Sequence, residues 1–310
     1  MIKSFQKIKK NNTLVTYNLY ELGRKEENWL LNVFWFNIFA YLTSWITWVL
    51  FIFGLVIGSF LNVCIFRIPE GTFWKSLRST CRGCGKQIPF YLNIPVLSFV
   101  FLRGRSRCCK KKLSWQYPLV ELAAALILVY VYWRFPFLAP FENRLDVDYR
   151  QLIRFGHASI FSFLLLVCAV IDMRHMIIPD AIDLPMIVLT PFVVYLHPDL
   201  DWKSALVGVL IGGGSLYLIS WIYWLIRKEV GLGMGDVKLL AAIGGWLGYQ
   251  AIFPVIVYGS VLGSFFGLSA IVISRKMSWK SAIPFGPFLA IGAIIHLLFG
   301  GFFQELFLGL

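Results

Sequence analysis

The sequence predicts an all-α integral membrane protein, a polytopic helical bundle of about eight transmembrane helices with a small cysteine-containing cytoplasmic insertion. Three observations predict it. Apolar runs of roughly 18 residues or more recur along the chain, each long enough to cross a bilayer as a helix. The chain is 58% hydrophobic and only 15% charged, which excludes an ordinary soluble domain. Finally, the charges alternate in sign between successive connections, as membrane threading requires.

The first stretch, 1–44, is an N-terminal extension. Residues 1–28 are polar and mixed in charge; 29–44 are apolar and aromatic. The latter are either an extension of the first span or an interfacial helix anchored by Trp29, Trp35 and Tyr41. Because more spans follow, this run is not expected to be a removable signal peptide. The first span is 45–66, followed by a polar loop at 67–117. The region 118–310 carries the other spans, near 118–138, 152–171, 182–197, 205–226, 237–253, 255–274 and 284–309. Glycines four residues apart (Gly54/Gly58, Gly208/Gly212, Gly244/Gly248, Gly259/Gly263/Gly267) fit helices packed closely in lipid.

Sidedness follows from charge. Lysines and arginines outnumber acids, 29 to 16, but they gather in loops, which argues for membrane orientation and against a nucleic-acid partner. The 67–117 loop is strongly basic, with Glu70 its one acid, and is placed in the cytoplasm. The connections 172–181, 227–236 and 275–281 fall on the same side. Those at 139–151 and 198–204 carry Glu142, Asp146, Asp148, Asp199 and Asp201 and fall opposite. Eight spans would leave the basic tail 1–28 on the acidic side. Either the large loop dominates orientation, or 29–66 forms more than one embedded element.

Two acids stand at the ends of apolar runs on the cytoplasmic face. Asp172 closes Leu165-Leu-Val-Cys-Ala-Val-Ile171, and Asp236 lies in Gly231-Leu-Gly-Met-Gly-Asp-Val-Lys238. Ionisable groups at membrane depth mark functional sites by default. Two carboxylates suit an aspartic hydrolase, one activating a water and the other protonating the leaving amine. An ion or proton pathway is the alternative from residue chemistry, and the two remain open at this point. The glycines around Asp236 tolerate positive φ and close approach by another chain, so this edge could pair with an unwound peptide. Its spacing matches neither dinucleotide-binding nor P-loop patterns. Pro179-Asp180 reads as a helix start, where Asp180 and Asp183 suit capping and the helix dipole.

Within the basic loop, Cys81-Arg-Gly-Cys84 has the spacing of half a zinc site. The second half is altered: Ser106 stands where C-x-x-C would need a cysteine, leaving adjacent Cys108 and Cys109 as the remaining thiols. A zinc knuckle on Cys81, Cys84, Cys108 and Cys109 is the expectation, and a reducing cytoplasm argues against disulfides. Cys64 and Cys168 read as buried small apolar residues.

Taken together, these residues resemble the prepilin peptidases, the type 4 leader peptidases, over about residues 54–300. The resemblance rests on Gly58-Ser-Phe-Leu-Asn-Val-Cys-Ile-Phe-Arg-Ile-Pro69, Asn93-Ile-Pro95 with Leu97-Ser98, and Tyr117-Pro-Leu-Val-Glu121. It rests equally on Asp172 through Ile178-Pro-Asp180 and on Gly233-Met-Gly-Asp-Val-Lys-Leu239. It implies an inner-membrane aspartic endopeptidase of the G-x-G-D kind within 118–310, with Asp172 and Asp236 catalytic. Its substrates would be prepilins and pseudopilins, cut on the cytoplasmic side after the glycine ending a basic leader. The pilus or type II secretion machinery would be an indirect partner. Many family members also methylate the new amino terminus with S-adenosylmethionine, an activity associated with the cysteine loop. Anionic membrane lipids are the expected partner of the basic loop.

Overall fold

The computed structural model describes residues 5–10, 13–18, 45–73, 79–138, 147–229, 233–273 and 283–308. The chain separates into two units, 1–49 and 50–310, each taken by itself. In the first, strands β1 (Phe5–Lys10) and β2 (Thr13–Asn18) pair antiparallel, Phe5 opposite Asn18 and Lys10 opposite Thr13. The polar start of the chain did not suggest this hairpin. The aromatic stretch 29–44 lies outside the described residues.

Otherwise helices make the fold. They are α1 (Trp45–Arg67), the short α2 (Leu97–Phe101), α3 (Gln116–Arg134), α4 (Tyr149–His175), α5 (Asp180–Leu196), α6 (Trp202–Arg227), α7 (Met234–Leu247), α8 (Ile252–Ile273) and α9 (Gly286–Leu308). Each expected span corresponds to one of the eight long helices; among the described residues five spans are long and apolar enough to cross a membrane: α1, α3, α4, α6 and Tyr249–Ala270. The count of eight crossings therefore does not follow from length. At 17 and 14 residues, α5 and α7 measure about 26 and 21 Å, short of a ~30 Å hydrocarbon core. Hydropathy overran α7 because its apolar sequence continues through a break. Gly248 turns the chain at φ 85° and a 3-10 turn, Tyr249–Ala251, follows.

The membrane reading is visible on the outer faces. Phe253, Val261, Phe265 and Val272 of α8, with Val188 and Tyr195 of α5, are exposed although apolar or aromatic, as lipid-facing residues are. Inside, α4 is the most enclosed span, its Leu165, Cys168 and Ile171 fully buried, and it packs on α3 and α9. Cys64 and Cys168 are both buried, as expected of small apolar residues.

The glycine pairs do what their spacing implied. A Cβ on Gly54 would stand 2.5 Å from the Ala125 Cα, and one on Gly58 2.5 Å from the Glu121 Cα, so α1 and α3 cross backbone to backbone. Gly208 of α6 and Gly244 of α7 meet face to face in the same way.

At the end carrying the acidic connections, Asp148 caps α4 by accepting from the Arg150 and Gln151 amides, and Asp201 caps α6 through the Lys203 amide. Asp199 takes a two-pronged ion pair from Arg154 at 2.7 and 2.8 Å. That guanidinium holds the Asp199 carboxyl below its usual range.

Candidate active site

Four helix ends build the site. Asp172 lies in the last turn of α4, which stops at Met176 in a left-handed conformation with the Met176 amide donating to the Asp172 carbonyl. The chain then passes Ile177 and Ile178, and Pro179 opens α5. Gly233 opens α7, leaving Asp236 in its first turn. Gly286 begins α9, and its amide donates to the Asp172 Oδ2 at 3.1 Å. The Asp172 carboxylate therefore sits at the positive end of α9.

Buried Ile178 joins these ends. A Cβ on Gly235 would lie 3.0 Å from the Ile178 Cβ, and one on Gly286 would lie 2.8 Å from its Cδ1 and 2.6 Å from the Asp172 Oδ2. Thus Gly235, beside Asp236, and Gly286, holding Asp172, rest on one side chain. Asp172 is buried and Asp236 half-buried.

Of the three glycines before Asp236, Gly231 lies outside the described residues. Gly233 is extended at φ −71° and ψ 142°, and Gly235 is already helical, so neither of these two uses the left-handed region. The missing side chain at Gly235 admits the protein's own Ile178. Capping is corrected too: α5 has no side-chain cap, and Asp180 instead accepts from the Lys238 Nζ at 2.6 Å. That pair joins the start of α5 to the start of α7. Asp183 is fully buried, one oxygen 3.9 Å from the Cys168 sulfur and the other without a hydrogen-bond partner among the described residues. Sequence reasoning missed Gly286, although Pro284 and Pro287 on either side of it were a helix-start signal.

The cysteine insertion is a repeat. Around Cys81 the Cys81 amide donates to the Lys86 carbonyl and the Gly85 amide to the Cys81 carbonyl. Around Ser106 the Ser106 amide donates to the Lys111 carbonyl and the Lys110 amide to the Ser106 carbonyl. Bridges Thr80 to Gln87 and Arg105 to Lys112 close the two turns, and Gly85 and Lys110 both have positive φ. Ser106 therefore holds the place of Cys81, and Cys109 that of Cys84. Cys108 comes in from the position matching Gly83, where a Cβ would lie 2.8 Å from the Cys109 sulfur.

All four thiol sulfurs lie within 4.8 Å of one another. The Ser106 hydroxyl lies 3.2 Å from the Cys81 sulfur and 3.0 Å from that of Cys108. Ser106 pushes the Cys81 thiol down to about 6, whereas the neighbouring Cys108 sulfur pushes Cys84 up to about 11.

Comparison with known proteins matches this architecture in two parts. Residues 52–135 match the Bacterial Peptidase A24 N-terminal domain, and residues 159–268 match the Type IV leader peptidase family. Three relatives are each called prepilin leader peptidase/N-methyltransferase. The chain is 33% identical to that of Pseudomonas putida over 80% of its own length and 88% of the relative's. It is 35% identical to that of Aeromonas hydrophila over 81% and 89%. The protein of Pseudomonas aeruginosa is 32% identical over 80% and 88%. No solved structure gives a significant match.

Proposed function

Because the chain belongs to the prepilin leader peptidase/N-methyltransferase family, we propose that it removes the basic leader from type IV prepilins or pseudopilins and methylates the new amino terminus. It is a multi-pass membrane peptidase. In this reading Asp172 and Asp236 are the catalytic pair, facing the cytoplasm from the inner membrane. The observation that carries it is their convergence through Ile178, with the Gly286 amide on Asp172.

The chemistry follows from the environment of each acid. A donated amide and a helix N-terminus stabilise negative charge on Asp172, which therefore takes the proton from the attacking water. Asp236 begins with the proton the pair shares and passes it to the departing amine. The water oxygen bonds the glycine carbonyl carbon, the carbon–nitrogen bond breaks, and one water is consumed without an acyl-enzyme. In the second reaction, the free amine bonds the methyl carbon of S-adenosylmethionine as the carbon–sulfur bond breaks. The electron pair stays on sulfur as a neutral thioether, and the amine loses one proton.

Cys81, Cys84, Cys108 and Cys109 would hold a zinc ion. Four Zn–S bonds of about 2.3 Å place sulfurs about 3.8 Å apart, and the donor atoms here lie 3.1 Å (Cys84 to Cys108) to 4.8 Å apart. The ion would pin the two knuckles of the insertion together.

The test is cleavage of a purified prepilin in lipid by wild type, Asp172→Asn and Asp236→Asn, with S-adenosylmethionine present and products weighed by mass spectrometry. The expected result is a shortened, methylated product from wild type and none from either folded variant. Cutting at the wild-type rate by either variant removes the pair from the mechanism.

A further inference from the structure

A cavity of about 1000 Å³ opens between the cysteine knuckles and the adjoining ends of α1 and α3. Its walls reach into the bundle. Asn62 lies about one and a half turns from the end of α1, and Glu121 a similar distance from the start of α3. Both are buried polar groups in otherwise apolar helices, where such groups are costly. Gly58 brings the two helices to contact at the level of Glu121 and fixes the spacing of the walls.

The polar inventory of this wall is incomplete. The Asn62 Nδ2 donates to the Tyr117 carbonyl at 3.0 Å, but its Oδ1 is buried and has no partner among the described residues. An orphaned buried acceptor costs about 1–3 kcal/mol, so a site that retains one is suited to a ligand bringing a donor. One oxygen of Glu121 accepts from the Val96 amide at 2.7 Å. Val96 is itself held at φ 59°, a region β-branched residues avoid. Strain of this kind persists where surrounding structure over-determines it, and it concentrates at ligand clamps.

The other walls carry the complementary chemistry. Phe66 and Tyr117 pair with ring centroids 5.2 Å apart. The guanidiniums of Arg82 and Arg174 lie 3.6 and 4.5 Å from the Phe66 ring centroid. Arg174 stands two residues beyond Asp172, so the cavity opens beside the end of α4 that carries the peptidase acid.

We propose that this cavity is the binding pocket for S-adenosylmethionine, with Asn62 and Glu121 receiving its amine or hydroxyl donors. The inference rests on the methyl-transfer reading and gives it a location. The residues fit: the ligand carries an aromatic base, hydroxyls, an ammonium, a sulfonium and a carboxylate. The cavity supplies aromatic faces, buried acceptors, an acid and guanidiniums, and its size is ample for a small molecule. Its position lets a freshly cut amino terminus meet the methyl donor without leaving the enzyme.

Equilibrium binding of radiolabelled S-adenosylmethionine to the purified full chain in nanodiscs tests this, paired with photocrosslinking by an azido derivative and peptide mapping. Wild type should bind saturably, with label on peptides containing 59–66 or 117–121. Asn62→Leu and Glu121→Gln should each bind about tenfold more weakly, the loss of one good hydrogen bond. Val63→Trp, which fills the cavity without removing a polar group, should weaken binding at least as much. Thermal unfolding of each variant establishes that it is folded. Unchanged affinity in folded Val63→Trp, or label confined elsewhere, overturns the pocket while methylation stands. A wild-type chain that neither binds the donor nor methylates a pre-cut substrate overturns both.

Discussion

Individual residues were legible where chemistry alone made them conspicuous. Asp172 and Asp236 are acids at membrane depth, and no packing argument disposes of them. Gly286 was invisible because its role is to be absent: it leaves room for the Asp172 oxygen and turns an amide toward it. Gly286→Ala would set a methyl group 2.6 Å from that oxygen and displace it. Cleavage should then fall roughly a hundredfold, the scale of a misplacement near 1 Å, measured as kcat/KM on a prepilin peptide. Replacing either aspartate by asparagine should cost about 10²–10⁴-fold, the usual share of general acid–base catalysis. With one proton shared between the pair, the rate profile of wild type should be bell-shaped in pH. Asp183 escaped recognition as a buried acid because the first turn of a helix is an ordinary place for a carboxylate; only packing shows that it turns inward.

At the scale of elements, the expected eight apolar runs became eight helices, but not eight of equal reach. The two short ones, α5 and α7, both begin at the site, which brings their first turns and Asp236 to the same end of the bundle as Asp172. Their seating depends on bare backbone contact. Gly208→Val would drive a side chain into the Gly244 carbonyl; overpacking costs about 1–3 kcal/mol or more, read as a lower Tm in detergent. The cysteine insertion was half legible. The first knuckle is a recognisable spacing, whereas the second is recognised only by its hydrogen bonds, which place Ser106 opposite Cys81. Purified protein should carry about one zinc per chain by metal analysis, and a strong chelator should release it and lower Tm, since metal binding and folding are coupled.

For the whole molecule, charge set the expected orientation. Asp148, Asp199 and Asp201 cap or clamp helix ends away from the cysteine insertion. Reporter fusions after residues 112 and 201 should report opposite sides of the membrane. Arg154 lowers the folded-state value of Asp199, so this pair stabilises above the unfolded carboxyl pKa of about 3.9 and is lost as pH falls through the lower folded value. Asp199→Asn should accordingly reduce Tm slightly at neutral pH and leave it unchanged in strong acid, where both states are protonated.

Hydropathy, charge sign and a few specific motifs are local properties of the chain. They pointed to a helical membrane protein, to its family resemblance and to two candidate acids. What required the folded molecule was every relation between distant segments. The Gly286 amide reaches Asp172 across 114 positions, Ile178 lies between two glycines from different helices, and Ser106 stands in the repeat place of Cys81. No local periodicity encodes such contacts, because they arise from how closely neighbouring backbones approach. Here that approach is set by the glycines that carry no side chain of their own.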